Sequence, residues 1–301
     1  MPEGIIVKAL SGYYYVKPDD GGDAVRCRAR GVFKVRGVSP LVGDRVRFTA
    51  GVGGEGTVDE ILPRTSELVR PPVANVDLVV LVFSAVRPEL NLALLDKFLV
   101  HVEHRRLDAL LVFTKMDAIG QAPDPERVRE ALENARRLYA SIGYASVAVS
   151  AQRGEGIDEL RERLAGRIGV LAGQSGVGKS TLLNALVPGL ALETGEISDR
   201  LGRGRHTTRH VELISLPGGG LLADTPGFSQ LDFQELGVDE IGSCFREFRE
   251  LAAGCKFRGC THVSEPGCAV REALDNGEVA ESRYRHYVEF LAEWKENRRK
   301  Y

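Results

Sequence analysis

Residues 170–181 read VLAGQSGVGKST, and this stretch decides the fold class of the chain. It matches the pattern G-x-x-x-x-G-K-[ST] at every position, with an apolar run before it and a helical pattern after it. Its glycines let successive backbone N–H groups face phosphate oxygens, and the start of the next helix adds partial positive charge. The sequence therefore predicts a phosphate-binding loop between a strand and a helix.

The residue types in this loop suit a nucleoside triphosphate. Lys179 is expected to bridge the β- and γ-phosphates, which makes it a catalytic candidate, and Ser180 is expected to bind Mg²⁺. The other predicted nucleotide contacts are Gly173, Gln174, Ser175, Gly176, Val177, Gly178 and Thr181. The alternative is a chance glycine-rich turn, which the complete pattern between a strand and a helix argues against.

Apolar strand-like runs alternate with helical patterns on both sides of the loop. The runs include DLVVLVFSA, ALLVFTKMD, ASVAVSA and GGLLADTPG, and the helical patterns include PERVREALENARRLY. Continuous apolar strands with intervening helices indicate a parallel sheet that is covered on both faces. We therefore predict one α/β domain over residues 70–233.

Two short motifs, TKMD and SA, lie at the ends of apolar runs, where nucleotides bind in open α/β sheets. Asp117 can accept hydrogen bonds from N1–H and the exocyclic amino group of guanine, a pattern that adenine lacks. Lys115 is expected to pack its stem along the base, and Thr114 stands where asparagine is more frequent. Ser150 and Ala151 are expected to present a backbone N–H to the guanine O6.

A polar, glycine-broken segment, SDRLGRGRHTTR, lies between the phosphate loop and DTPG. It predicts a loop that becomes ordered around the γ-phosphate. Thr208, a further catalytic candidate, and Asp224 are expected to complete the Mg²⁺ shell, and Gly227 is expected to donate its N–H to that phosphate. Phe228 stands where a glutamine orients the attacking water in GTPases of the Ras kind, so unaided hydrolysis is expected to be slow. His206 is the candidate to position the water; a histidine that contacts phosphate or RNA is the alternative.

Residues 1–69 contain five or so short β-type runs separated by glycine, aspartate and proline, which predict a small closed barrel of the OB type. Arginines two positions apart share one face of a strand. This region is basic, and its candidate RNA-binding residues are Arg26, Arg28, Arg30, Lys34 and Arg36. The pattern fits a solvated barrel face and a surface for the phosphate backbone equally well.

Residues 234–301 are mostly helical in pattern and contain a cysteine-rich cluster. The cluster consists of Cys255, Cys260, His262 and Cys268. Three thiolates and one imidazole form a complete tetrahedral Zn²⁺ set, which predicts one structural ion. The alternative is a small core of cysteines beside a surface histidine, which the clustering argues against. Further along, the tyrosine-rich ending carries apolar residues near helical spacing and predicts a packing stripe.

The 301-residue chain has 43% hydrophobic and 27% charged residues and a net charge of −2, so overall charge does not indicate a polyanionic partner. No run reaches the length of a membrane span, and the first residues do not resemble a signal peptide. Five cysteines are too few for a disulfide scaffold. These features predict a cytoplasmic protein that is not bound to a membrane. We also expect a monomer, an expectation that does not rest on these features.

The guanine motifs precede the phosphate loop, which reverses the order of ordinary GTPases. With this order, the barrel, the stretches GRHTT and DTPGF and the Cys-x₄-Cys-x-His-x₅-Cys spacing, the chain resembles the circularly permuted ribosome small-subunit-dependent GTPases of bacteria along its whole length. The resemblance implies GTP hydrolysis stimulated by the small (30S) ribosomal subunit late in its maturation, and rRNA as a partner. It also implies that His206 takes part in hydrolysis. Arg209 stands where threonine is frequent, so the Mg²⁺ ligand is Thr207 or Thr208.

Two other functions remain open at this point. One is a GTP-switched RNA-binding module with little or no turnover, and the other is a phosphate-loop ATPase, against which the TKMD and SA motifs argue. The permuted order leads directly from the DTPGF segment into the cysteine-rich region. Loss of the γ-phosphate is therefore expected to reorient that C-terminal region.

Overall fold

The computed structural model describes the chain except for positions 36, 52–53, 70–71, 193–210, 225–230, 232, 234–235 and 300–301. Within its elements, the side chains at positions 34, 69, 224, 239 and 299 are also not described. Among the described residues, no helix combines the length and the apolar character that a membrane crossing requires. The predicted domain boundaries at 1–69, 70–233 and 234–301 stay predictions.

The N-terminal region is a closed five-stranded barrel with the strand order β1-β2-β3-β5-β4. Its elements are β1 (Glu3–Leu10), β2 (Tyr13–Pro18), β3 (Val25–Ala29), the short helix α1 (Gly31–Val35), β4 (Arg45–Thr49) and β5 (Glu55–Ile61). β3 and β5 run parallel, and the other described pairs are antiparallel. The barrel confirms the predicted OB architecture.

One expected strand of the barrel is shorter than the sequence indicated. The run AVRCRARGVFKV, one of the β-type runs in residues 1–69, has a strand pattern throughout, but β3 ends at Ala29 and Gly31–Val35 forms α1. The α1 residue Phe33 is 7% exposed and belongs to the core that the barrel strands share. Burial of one aromatic side chain therefore favours a helical turn where β-branched valines suggested a strand.

A hairpin of β6 (Glu67–Val69) and β7 (Pro72–Ala74) follows the barrel and packs against it. A Cβ on Gly43 would lie 2.1 Å from the Ala74 carbonyl oxygen, so only glycine permits this approach. Arg64 donates to both oxygens of the fully buried Asp44, at 2.7 and 2.8 Å. These hydrogen bonds raise the pKa of the Arg64 guanidinium and link the hairpin region to the barrel.

The central region is a six-stranded sheet with the order β10-β9-β8-β11-β13-β12. Its strands are β8 (Leu78–Ser84), β9 (Asp108–Thr114), β10 (Ala145–Ala148), β11 (Ile168–Ala172), β12 (Leu213–Ser215) and β13 (Leu221–Asp224). All neighbours run parallel except β12 and β13, which are antiparallel. Only five residues join β12 to β13, too few for a crossover between parallel strands, which explains this difference from the predicted parallel sheet.

Helices cover both faces of this sheet, as predicted. They are α2 (Leu92–His104), a 3-10 helix (Met116–Gln121), α3 (Pro125–Ser141), α4 (Ile157–Leu164) and α5 (Lys179–Leu186). Every residue of β8 is buried, and alternate side chains join two different cores. Val79 and Leu81 pack on the side of α2 and α3, whereas Val80 and Val82 pack on the side of α4 and α5. The period of two distributes a continuous apolar run over both faces.

The C-terminal region consists of α6 (Val238–Ser243), α7 (Arg246–Ala252), α8 (Ala269–Asp275) and α9 (Glu281–Arg299). Tyr287 and Leu291 of α9 are 1% and 2% exposed, and Tyr284, Val288 and Trp294 pack partly buried against the same core. The predicted packing stripe is therefore present in the described structure.

Buried charges join the C-terminal region to α2. The carboxylate of Asp96 is fully buried and accepts hydrogen bonds from Arg283 at 2.6 Å and from Tyr139 at 2.5 Å. His286 Nδ1 lies 2.6 Å from its other oxygen. Arg283 also donates to Glu247 of α7 at 2.7 and 2.9 Å. One arginine thus connects α9, α7 and α2 within a space from which water is excluded.

Candidate nucleotide site and metal centre

The phosphate-binding loop follows β11 directly and ends at the first residue of α5. Gly173 has φ +147°, and a Cβ there would lie 2.2 Å from the Val82 carbonyl oxygen of β8. Gly178 precedes α5 with φ +98°, in the left-handed region that glycine adopts readily. The backbone therefore requires glycine at positions 173 and 178, which are the two fixed glycines of the motif.

Lys179 lies inside the curve of this loop. Its ammonium group donates to the carbonyl oxygens of Gly173 at 2.8 Å and Gln174 at 2.7 Å. Ser180 lies next to it in the first turn of α5, where backbone N–H groups have no partner within the helix. The loop therefore gathers the cation, the hydroxyl and the helix N-terminus that the sequence predicted.

The TKMD motif contacts the phosphate loop through its first two residues. The Thr114 hydroxyl lies 2.5 Å from the Val177 carbonyl oxygen, to which it donates, and 3.2 Å from that of Phe83. Lys115 donates from Nζ to the Gly176 carbonyl at 2.6 Å and also to the Arg87 carbonyl. Thr114, which stands where asparagine is more frequent, therefore hydrogen-bonds directly to the phosphate loop.

Lys115 has an unusual electrostatic environment and backbone geometry. Burial lowers the pKa of its ammonium group, an effect that the nearby Asp117 opposes. Its backbone lies in the left-handed region at φ +60° and precedes the 3-10 helix. The two carbonyl oxygens that accept from Nζ keep the charged end fixed, so the alkyl stem is held beside the loop near Gly178.

Asp117 is oriented by the second guanine motif. The buried Ser150 hydroxyl donates to Asp117 Oδ1 at 2.6 Å. The Ser150 backbone N–H donates to the Glu155 carbonyl at 3.0 Å, so the N–H expected to face the guanine O6 is left to Ala151. Sequence reasoning missed this role of the Ser150 side chain, because the pairing joins residues 33 positions apart.

The remaining predicted nucleotide residues lie on or beyond β13. Asp224 ends this strand, and its Cα pairs with that of Leu171, near the point where β11 leads into the phosphate loop. The register therefore brings the Asp224 backbone to the correct edge of the sheet. His206, Thr207, Thr208 and Gly227 lie outside the described residues.

Four side chains in the C-terminal region form a candidate metal centre. The ligand atoms of Cys255, Cys260, His262 and Cys268 all lie within 4.8 Å of one another. Cys255 Sγ and Cys268 Sγ are 3.9 Å apart, and His262 Nδ1 is 3.6 and 3.4 Å from them. A tetrahedral Zn²⁺ with sulfur ligands at about 2.3 Å requires sulfur atoms about 3.8 Å apart. The arrangement therefore fits such an ion, with Nδ1 as the histidine ligand.

Neighbouring polar groups hold this loop in shape. The Glu265 carboxylate accepts from the Thr261 hydroxyl at 2.5 Å and from the N–H groups of Thr261, Val263 and Ser264 at 2.8 to 3.1 Å. Burial opposes ionisation, but the hydrogen bonds lower the pKa of Glu265 to about 2. Burial also lowers the pKa of His262, which favours the neutral form that binds metals. The sequence motif identified only the four ligands, and the role of Glu265 in holding the loop was not predicted.

The arginines on the basic face of the barrel have acidic partners that the local sequence does not indicate. Arg26, Arg28 and Arg30 are exposed, as the spacing predicts, while Cys27 between them is buried. Glu55 lies 3.3 Å from Arg26 and 2.8 Å from Arg28, and Asp59 lies 2.7 Å from Arg30. An RNA phosphate must compete with these carboxylates. Arg36 lies outside the described residues, as does the side chain of Lys34, and the RNA-binding role of all five stays a prediction.

Comparison with known proteins agrees with this arrangement. The profile of the RsgA GTPase family matches residues 61–234, and that of the RsgA N-terminal domain matches residues 3–58. The chain is 53% identical to the small ribosomal subunit biogenesis GTPase RsgA of Geobacillus thermodenitrificans and 50% identical to that of Bacillus anthracis, covering all of both chains in each case.

Two solved structures are similar along nearly the whole chain. YjeQ from Thermotoga maritima has a TM-score of 0.84 at 38% identity, with 97% of this chain and 98% of that chain covered. YloQ, described as a circularly permuted GTPase, has a TM-score of 0.84 at 43% identity, with 99% and 96% covered. The reversed motif order thus corresponds to a known permuted fold. The chain belongs to the RsgA GTPase family.

Proposed function

We propose that this protein hydrolyses GTP to GDP and phosphate during late maturation of the small ribosomal subunit, and that the particle stimulates hydrolysis. The observation that carries the proposal is the set of direct hydrogen bonds between the TKMD motif and the phosphate loop. They bring the residues proposed for base recognition into direct contact with those proposed for phosphate binding. The names of the full-length relatives support the ribosomal part of the proposal.

Guanine selectivity rests on Asp117 in this proposal. Its Oδ1 accepts from Ser150 at 2.6 Å, so the carboxylate is held in one orientation before the base arrives. A fixed acceptor pair matches the N1–H and amino group of guanine and leaves adenine unpaired. An unpaired buried polar group costs about 1–3 kcal/mol, which is enough to discriminate between the bases. Lys115 supports one side of the base, and the Ala151 N–H is offered to O6.

Phosphate binding and Mg²⁺ coordination use the loop and the end of β13. Lys179 and the backbone N–H groups of the loop bind the β- and γ-phosphates. Ser180, Thr208 and Asp224 provide the hard oxygen ligands that Mg²⁺ prefers. The described positions of Ser180 and of the Asp224 backbone are compatible with this set. The ion would neutralise negative charge on the phosphates when bound.

Hydrolysis requires a group that orients the attacking water. Phe228 has no polar atom in its side chain, so we assign this role to His206 and expect slow turnover of the isolated protein. Binding to the particle is proposed to bring the loop that contains His206 into its productive position. The barrel residues Arg26, Arg28 and Arg30 contribute rRNA contacts in the same proposal.

The cysteine-rich centre is proposed to hold one structural Zn²⁺ ion. Four protein ligands leave no open position for a substrate, so the ion stabilises the fold of the C-terminal domain rather than taking part in hydrolysis. We also propose the domain division at residues 69 and 233, action as a monomer and a cytoplasmic location, where small subunits mature.

Co-sedimentation tests the proposal. The protein is centrifuged with purified small subunits in GDP and in a non-hydrolysable GTP analogue, with large subunits as the matched control. We expect nucleotide-dependent binding to small subunits only. Absence of binding in both nucleotides would contradict the ribosomal proposal, whereas tight binding without any hydrolysis would favour the alternative of a GTP-switched RNA-binding module.

A further inference from the structure

A short exposed loop lies between two candidate metal ligands. We call residues 256–259, which read Lys-Phe-Arg-Gly between Cys255 and Cys260, the knuckle tip. The Lys256 N–H donates to the Gly267 carbonyl at 3.0 Å, which joins the tip to the opposite side of the metal loop. A Cβ on Gly267 would lie only 3.2 Å from the Lys256 Cβ, so the two sides are closely packed. The tip is therefore a structured element of the metal centre.

The phenylalanine of the knuckle tip is exposed. The described residues include ten of the 11 phenylalanines, of which nine are buried and Phe257 is 45% exposed. The other large exposed apolar residues of the described chain, Met1, Val32, Val35 and Val38, all belong to the barrel region. An isolated apolar residue on a structured loop gives little area for a protein interface, which typically buries about 1,000 Å² or more.

Two cationic residues flank Phe257 in the sequence. Lys256 Nζ lies 5.7 Å from the centroid of Phe257, and Arg258 follows it directly. Neither cation forms an ion pair with a carboxylate of the described residues, whereas each candidate arginine of the barrel that the structure describes is paired with a carboxylate. The knuckle tip therefore offers two positive charges that are available to phosphate groups.

We propose that Phe257 stacks on an unpaired base of ribosomal RNA while Lys256 and Arg258 contact the phosphates beside it. The inference rests on the proposed function, which brings the protein to an RNA particle. An exposed aromatic ring with cationic residues on either side in the sequence suits a single strand, loop or bulge, because bases in a duplex are already stacked on each other. A protein partner would instead need more apolar surface than the knuckle tip provides.

Substitutions of one residue test this proposal. Phe257→Ala, Phe257→Leu and Phe257→Trp are compared with the wild-type protein by co-sedimentation with small subunits, and zinc content and thermal unfolding confirm that each variant is intact. Loss of one stacked base corresponds to about a 5- to 150-fold weaker affinity. We expect this loss in Phe257→Ala and Phe257→Leu and near-normal affinity in Phe257→Trp. If leucine restores binding as well as tryptophan does, the contact is apolar and made with protein, and the proposal is wrong.

A spectroscopic measurement examines stacking directly. The chain has one tryptophan, Trp294, whose Nε1 donates to the Leu236 carbonyl at 2.7 Å. The fluorescence of the wild-type protein therefore comes from Trp294 alone and serves as the control for the added tryptophan. Single-stranded RNA is expected to quench the fluorescence of Phe257→Trp but not that of the wild type, and a duplex of the same sequence is expected to have no effect. Normal small-subunit binding by Phe257→Ala would overturn the inference alone, whereas failure of the wild-type protein to bind would overturn the proposed function.

Discussion

Replacing Arg283 by alanine is expected to destabilise the C-terminal region strongly. Arg283 is 1% exposed and bridges Asp96 and Glu247, whose side chains are 0% and 9% exposed. Burial disfavours the charge, but Asp96 and Glu247 together raise the pKa of the guanidinium, so the three groups depend on each other. Removal of one partner from a buried ion pair leaves uncompensated charge and costs about 3–5 kcal/mol.

Urea unfolding followed by the fluorescence of Trp294 measures this cost, because the single tryptophan lies on α9. With a slope of about 2–3 kcal/mol per molar urea, a cost of about 3–5 kcal/mol lowers the midpoint by about 1–2.5 M. Arg285→Ala is the matched control: this neighbour is 63% exposed and its pair with Glu289 is 4.0 Å long. Such a pair contributes less than about 1 kcal/mol. Equal midpoints for the two variants would refute the prediction that the buried ion pairs of Arg283 stabilise the C-terminal region.

The same contacts bear on how GTP hydrolysis affects the C-terminal region. A swing of this region relative to the GTPase sheet would separate Arg283 from Asp96 and Lys97 from Glu293, which are 2.6 Å apart in each pair. Phe233, just beyond the DTPGF segment, also stacks on His101 of α2 at 5.4 Å. We therefore expect α2 and the C-terminal region to move together, in contrast to the reorientation that the permuted motif order suggested.

Three further predictions concern the nucleotide site and the metal centre. Asp117→Asn is expected to weaken GDP binding and to favour the xanthine nucleotide, because the amide donates where the carboxylate accepts; calorimetry with both nucleotides measures this, and unchanged selectivity would contradict the role of Asp117. His206→Ala is expected to keep near-normal GDP affinity while particle-stimulated hydrolysis falls about 10²- to 10⁴-fold; loss of GDP binding would argue against a catalytic role. Glu265→Ala is expected to lower zinc affinity about 10- to 100-fold, measured by competition with a chelator. The exposed Glu278→Ala is the control. Equal zinc affinities of the two variants would show that Glu265 does not support the metal loop.

Local patterns were sufficient for the main features of the fold. The continuous apolar run of β8 predicted a strand buried on both faces, and the glycine spacing at 173–178 predicted the loop geometry, because both depend on neighbours in sequence. The run HVELISL indicated a strand at β12, but its antiparallel direction was not predicted, since that direction depends on the short turn before β13 rather than on its own residues.

Contacts between distant residues were beyond the reach of sequence reasoning. Asp96 and Arg283 are 187 positions apart, and neither belongs to a motif. The barrel arginines form an unopposed basic stretch in sequence, yet β5 places Glu55 and Asp59 beside them. Ser150 was assigned through its backbone, whereas its hydroxyl orients Asp117. In each case the fold supplies a partner that no local pattern contains.

The central claim is that the small ribosomal subunit stimulates GTP hydrolysis by this protein. Turnover is measured for the protein alone, with purified small subunits and with large subunits, over a range of salt concentrations that preserves particle binding. We predict slow hydrolysis by the isolated protein, in keeping with Phe228 at the position of the usual glutamine, and a sharp rise only with small subunits. Turnover that stays the same with and without small subunits at every salt concentration would contradict the account.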